Sequence, residues 1–387
     1  MLVVYCTGCS LGPLWRFGCV ILVPERNERS SSMPARNDHT SSASYEKERT
    51  RDVTLKLRSI LDELPAFARQ FFVASQDTMT PLTRLNYARD IRIFFEFLTR
   101  EIPAFASKSM REITLDDLRH LTVDDLYGFL DYLSLYSNES DVFQENHERG
   151  KARKVAALRS FFKHYFRKGQ LDKNVTELLD TPKLHEQPIT RLSPDEAATL
   201  LDIVESGEGL TPQQLRYHKR NVKRDLAIFT LFLTTGIRVS ELVGMNVGDV
   251  DLRNNSFVVT RKGGARVVLY FDEEARNALE DYIEERAAQG TGELSAPLFQ
   301  SMQGKRLTVR AVENLVKKYA RLAAPLKRIS PHKLRSTFGT MLYEETGDIY
   351  LVADVLGHKD VNTTRRHYAA QSEENRRTAA RAVKLRK

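Results

Sequence analysis

Apolar residues recur at helical spacing through most of this chain. Leu55 to Phe72 is amphipathic. Over 83–100, Tyr87, Ile91, Phe94, Phe95 and Leu98 fall on one helical face and leave Arg84, Arg89 and Arg92 for other surfaces. Thr122 and Asp125 form a variant capping box ahead of Leu126, Phe129, Leu130 and Leu133. Over 151–168, Val155, Leu158, Phe162 and Tyr165 make a buried stripe, which Gly169 ends. An apolar helix follows at 226–233 and stops at T-T-G-I-R. Two β-rich runs, 255–260 and 266–270, flank K-G-G-A and predict a hairpin with Lys262 at its turn. The pattern predicts a mainly α protein with a small β-hairpin or sheet in its second half.

Between these elements lie the expected boundaries. The polar stretch 33–52 predicts disorder. Residues 180–188, D-T-P-K-L-H-E-Q-P, predict a linker. Ser193, Pro194 and Glu196 form a capping box with proline at the first helical position, so a new domain opens there. The expected organisation is a disordered or non-native extension over 1–52, a helical domain over 53–179, a linker over 180–192 and a second domain over 193–387. The length of 387 residues suits two or three domains. Residues 1–24 are apolar but lack the basic lead-in of a signal peptide, and Arg16 interrupts a membrane span. The expectation is that 1–32 stands outside the folded protein, upstream of a start at Met33; a membrane anchor is the alternative.

The stretch 330–368 carries the candidate chemistry. Ser330 suits an N-cap and Pro331 the first helical position, so His332 and Arg335 stand one turn apart on one face. Gly347 can end that helix. Asp348 can cap a second, Ile349 to Leu356, that stops at Gly357. His358 follows, then Asn362 and Thr363 as caps for a third helix bearing Tyr368. Arginine offers a planar fork to two phosphate oxygens, histidine moves protons near neutral pH, and a tyrosine hydroxyl can attack phosphorus. Together these suit a phosphodiester. H-x-x-R alone fits a basic helical hairpin with a core histidine and an ordinary surface tyrosine better; the whole ordered string is more specific. Arg238, three residues before Glu241 at a helix start, is placed to meet a phosphate or to make a surface ion pair.

Charge sharpens this picture. The net charge of +8 points to a polyanionic partner. Lys151, Arg153, Lys154, Arg159, Lys163 and Arg167 crowd the polar side of the 151–168 helix, which predicts contact with DNA there; a merely solvated face is the alternative. The three cysteines, Cys6, Cys9 and Cys19, all lie near the start, so the body has no disulfide framework, as a cytoplasmic protein would. No Walker loop and no acidic two-metal cluster is visible, so no cofactor and no metal is expected.

The strings T-G-I-R-V-S-E-L (235–242), R-K-G-G (261–264), H-K-L-R (332–335), L-G-H (356–358) and Tyr368 together resemble the tyrosine recombinase (phage integrase) family. The resemblance implies a two-domain clamp on double-stranded DNA, its N-terminal helical domain binding the core site. It implies that Tyr368 attacks the scissile phosphate, leaving a 3′-phosphotyrosyl link and a free 5′-hydroxyl. Arg238 and Arg335 would bind the non-bridging oxygens, Lys262 protonate the leaving oxygen, His332 assist proton transfer and His358 donate to the phosphate. It further implies a homo-tetramer on two DNA sites, with the last helix packed into a neighbouring subunit. Neither ATP nor a metal is implied. Two features depart from the pattern: Tyr368 stands four residues after Thr364 where many members have three, and Ser336 replaces a common histidine. The runs 216–228 and 259–264 are similar to Xer-type recombinases of the XerS kind, which implies chromosome dimer resolution with an accessory division protein possible. Integrases of phages and mobile elements share the residue set. A non-catalytic DNA-binding protein and a type IB topoisomerase are the readings from other classes.

Overall fold

The computed structural model describes residues 42–137, 142–181, 190–261, 264–358, 360–361 and 364. The first helix, α1 (Ser42–Glu63), already includes 42–52, so that part of the stretch expected to be disordered is helical. Packing accounts for the difference. The Arg306 guanidinium stacks over the Tyr45 ring at 4.7 Å, and Leu57 and Leu61 are buried. Tertiary contacts of this kind stabilise a helix whose own sequence is too polar to predict it. The helix expected over 55–72 is in fact two, because Pro65, with φ −54° and ψ 148°, separates α1 from α2 (Ala66–Ala74).

α3 (Pro81–Glu101) starts at Thr80, whose hydroxyl accepts from the Thr83 N–H. α4 (Leu115–Arg119) and α5 (Val123–Tyr132) each open with a capping box; that of α5 is the expected Thr122–Asp125 pair. A short antiparallel pair, β1 (Tyr136–Ser137) with β2 (Phe143–Gln144), precedes α6 (Glu148–Arg167); nothing in the alternation of residues predicted it. The core enclosed here is largely aromatic. Phe71 meets Phe161, and Phe94 meets Phe129, edge to face, with centroids 5.3 and 5.2 Å apart.

A separate core begins at Leu192. Its elements are α7 (Pro194–Ser206), α8 (Pro212–His218), α9 (Val222–Thr235), α10 (Val239–Gly244), strands β3 (Val250–Asp251), β4 (Ser256–Thr260) and β5 (Arg266–Tyr270), then α11 (Glu273–Ala288), α12 (Val309–Ala323), α13 (Pro331–Thr346) and α14 (Ile349–Leu356). α9 is apolar nearly all round, and α7, α11 and α13 surround it. The strands form one antiparallel sheet, β3-β4-β5, with Phe257 opposite Leu269. Phe257, Val259 and Leu269 face the core, while Val268 and Tyr270 face solvent, the alternation of a one-sided sheet. The Leu192 N–H donates to Thr337 Oγ1 at 3.0 Å and Arg191 to Thr340 Oγ1 at 3.2 Å, so the start of this half is fastened to α13.

The protein is thus predominantly α-helical, with small antiparallel sheets. Most of the expected linker, 182–189, lies outside the described residues, as does the apolar start of the chain. Among the described residues no helix is long and apolar enough to cross a membrane.

Candidate phosphodiester site

Two glycine stops place the candidate residues. Gly236 ends α9 in the left-handed conformation, φ 59°, and the chain turns so that Arg238 becomes the N-cap of α10. The Arg238 N–H donates to Glu241 Oε2 at 3.0 Å and its Nη1 to Glu241 Oε1 at 2.7 Å. Glu241 is buried, so this is no loose surface pair; the carboxylate fixes both backbone and guanidinium. The second stop is Gly357, φ 61°, which ends α14. Arg238 Nη2 donates to the carbonyls of Leu356 and Gly357, at 3.1 and 3.0 Å.

Arg335 reaches the same place from α13. It is buried, donates from Nη1 to the Gly236 carbonyl at 2.5 Å, and from Nη2 to the Leu356 carbonyl. The two arginines, 97 positions apart in sequence, therefore meet on one carbonyl oxygen. His332 lies one turn before Arg335 and is exposed. Ser330 precedes α13 as expected but makes no side-chain cap; its carbonyl accepts from Lys333 and Leu334 instead, at 2.8 and 3.1 Å. His358 follows Gly357, and its Nδ1 pairs with the hydroxyl of buried Thr364 at 2.8 Å, which sets the ring's orientation. Asp348 caps α14 through the Tyr350 and Leu351 N–H groups. Lys262 and Tyr368 lie outside the described residues.

A third guanidinium joins the first two. Arg261 Nη2 donates to the Val355 carbonyl at 3.1 Å. Arginines from three elements thus converge on successive carbonyls at the end of α14, where the helix dipole is negative. Arg238 and Arg335, planar cations fixed in this way, can hold a tetrahedral anion between them without reorganising, while Arg261 lies against Gly357.

The basic helix α6 behaves differently from its pattern. Lys163 is exposed, and Lys151 donates to Ser134 Oγ at 2.6 Å. Lys154, expected on the DNA-facing side, is instead 3% exposed. Its ammonium donates to Asn146 Oδ1 at 2.7 Å and lies 3.8 Å from Asp90. The correction has a plain cause: Asp90, 1% exposed on α3, demands cationic partners inside, and Arg153 also pairs with it. Burial pushes the Asp90 carboxyl above the ordinary range, against the pull of Arg153 and Lys154, and burial pushes the Lys154 ammonium down. Arg159 donates to the carbonyls of Thr176 and Leu179 and to Thr181 Oγ1, tying α6 to the chain that leaves this half. Within the basic run 216–228, Arg224 likewise turns inward, onto Asp225 at 2.6 Å and the Gln300 carbonyl at 2.9 Å. Lys333, beside His332, has its ammonium pushed down by burial first and then by Arg149 of α6.

Residues 190–375 match the model of the phage integrase family. The tyrosine recombinase XerC of Caldanaerobacter subterraneus subsp. tengcongensis is 34% identical over 320 residues, covering 80% of this chain and 82% of that protein. The chain belongs to the phage integrase family of tyrosine recombinases. The XerC of Pelobacter propionicus is 30% identical over 311 residues, 80% of this recombinase and 91% of that protein. Among solved structures, the XerH site-specific recombinase bound to a palindromic difH substrate aligns with a TM-score of 0.59 and 18% identity, over 78% of this chain and 80% of that one. The Tn1549 transposon integrase in complex with circular intermediate DNA aligns at 0.56 and 18%, over 80% and 98%. These two share the fold. Membership supports DNA strand breakage and rejoining as the recombinase's general activity. The relatives bear the XerC name, not the XerS kind suggested by 216–228 and 259–264.

Sequence reasoning missed Arg261, Asp90, Asn146 and Thr364 as holders of the site and of α6. Each acts through a partner that only the folded chain brings near.

Proposed function

We propose that the recombinase cuts and rejoins double-stranded DNA at specific sites through a covalent link to Tyr368. The observation that carries this is the meeting of Arg238 and Arg335 on the Leu356 carbonyl, one turn from His332 and two residues before His358. In this reading the two guanidiniums take the non-bridging oxygens and stabilise the charge of the transition state. His358, held by Thr364, donates to the phosphate, and His332 assists proton transfer. Tyr368 attacks phosphorus; the P–O5′ bond breaks, Lys262 protonates the departing 5′-oxygen, and a 3′-phosphotyrosyl link remains. The link keeps the bond energy for rejoining, so the cycle balances without ATP. In this reading DNA lies between the two halves, and the net positive charge favours that polyanion.

The XerC-named relatives favour a Xer-type role, resolving chromosome dimers as a homo-tetramer on two DNA sites, with an accessory division protein possible. The test is Tyr368→Phe on nicked suicide DNA. Covalent adducts should vanish while binding stays within about twofold, since only one hydroxyl is removed. Adducts persisting in that variant would overturn the assignment.

A further inference from the structure

The β4–β5 hairpin leaves the sheet at Thr260, opposite Arg266. Beyond that point Arg261 holds it. The Arg261 N–H donates to the Ala265 carbonyl at 2.8 Å, and the Gly264 N–H donates to the Arg261 carbonyl at 3.0 Å, so the hairpin closes on this residue. Its side chain then spans to α14, where Nη2 meets the Val355 carbonyl. The guanidinium packs against Gly357; a Cβ there would overlap it. Its Nε is buried and has no hydrogen-bond partner among the described residues. A surface arginine would keep that nitrogen in water, so the chain gives up solvation to hold the group here.

What the contact joins is informative. On one side stands the hairpin whose next residue in sequence is Lys262. On the other stands the carbonyl end of α14, which also receives Arg238 and Arg335. A proton donor works only within hydrogen-bond reach of the leaving oxygen, and a slip of about 1 Å can cost about 100-fold in rate. A hairpin free beyond Thr260 would allow such slips. We infer that Arg261 is a positioning residue for strand cleavage: it straps the hairpin to the end of α14 and fixes the hairpin's distance from the two phosphate-binding arginines. The inference rests on the reading of Lys262 as the leaving-group acid.

The experiment compares Arg261→Ala, Arg261→Lys and Lys262→Ala in the full chain, on nicked suicide DNA with an ordinary phosphate and with a 5′-bridging phosphorothiolate. The thiolate leaves without a proton. Arg261→Ala should bind DNA and unfold like the parent, yet cleave ordinary DNA roughly 10- to 100-fold more slowly. On the phosphorothiolate it should come within about threefold of the parent, and Arg261→Lys should recover part of the ordinary rate. Unchanged cleavage of ordinary DNA by Arg261→Ala, or equal losses on both substrates, overturns the inference. The two readings fail separately. Lys262→Ala without thiolate rescue removes the proton-donor role, whereas rescue of Lys262→Ala but not of Arg261→Ala removes the positioning role. Gly357→Ala reads the strap itself: its loss of cleavage should shrink at least about fivefold in the Arg261→Ala background, because the overlapping group is gone. Equal losses in both backgrounds would show that no strap exists.

Discussion

At the scale of single residues, the cations of the site and of the basic helix are held by different partners. Arg335 donates to carbonyl oxygens, dipoles that orient a guanidinium, and Arg238 donates to two carbonyls and to the buried Glu241 carboxylate. Lys154 is neutralised inside, by Asp90. Removing one member of a buried pair strands the other, so Asp90→Ala, which strands Lys154, should cost about 3–5 kcal/mol, whereas Lys154→Met should cost less, because Arg153 still pairs with Asp90. Urea unfolding of both variants checks this. An Asp90→Ala midpoint equal to the parent's would show that the pair is not coupled. The pH dependence has a definite sign. Burial holds the Lys154 ammonium below its ordinary value of 10.5, so just below that value the unfolded chain binds more protons than the folded one. Stability from this group therefore rises with pH through that alkaline window, and Lys154→Met should flatten the rise. Spacing in the sequence explains what was legible. Arg238, His332, Arg335 and His358 stand in short strings whose spacing can be read directly. The Asp90–Arg153 pair spans 63 positions, and no local pattern marks which lysine of a basic run must turn inward.

At the scale of elements, left-handed glycines order the site. Gly236, Gly347 and Gly357 end α9, α13 and α14, and chemistry-bearing or capping residues follow within two positions. These stops were readable because glycine is the residue that adopts positive φ without strain. Other boundaries were not. Pro65 splits a run whose apolar period continues across it, and α1 starts early because Tyr45 finds Arg306. The glycines nevertheless differ in what they touch. A Cβ on Gly236 would press into Phe338 and Leu356, while one on Gly347 would meet nothing within 4 Å. Gly347→Ala should therefore cost only the backbone term, about 1–2 kcal/mol, and leave cleavage intact. Gly236→Ala should cost more than that, because α14 must shift, and cleavage should fall at least about tenfold as the Leu356 carbonyl leaves Arg238 and Arg335. Unfolding midpoints and single-turnover cleavage measure both. A Gly236→Ala protein that is destabilised but cleaves normally would show that the arginines do not depend on that carbonyl.

At the scale of the whole molecule, contacts within the chain do not complete the assembly the proposed reaction needs, since exchange between two sites requires several active sites in register. The segment after Tyr368 has the composition for such a contact. Ala379, Ala380, Ala382, Val383 and Leu385 give a small apolar face on a helix-prone stretch, and Arg376, Arg377, Arg381, Lys384, Arg386 and Lys387 make the remainder basic. These residues lie outside the described part of the structure. A helix so short and so weakly apolar is marginal alone, and gains stability only by docking. Its partner in this proposal is a neighbouring copy, which is why one chain's sequence shows the face but not its socket. A variant lacking 373–387 should bind a single DNA site nearly as well as the parent at moderate salt, and lose synapsis and strand exchange at least about tenfold. The competing behaviour is a basic tail that adds non-specific affinity. In that case the deletion would weaken binding and lower the slope of affinity against salt, by roughly 0.9 for each phosphate no longer neutralised, while recombination would survive at saturating protein. Salt-dependent binding and recombination, measured side by side on the same preparation, separate the two, and the second pattern would rule out docking.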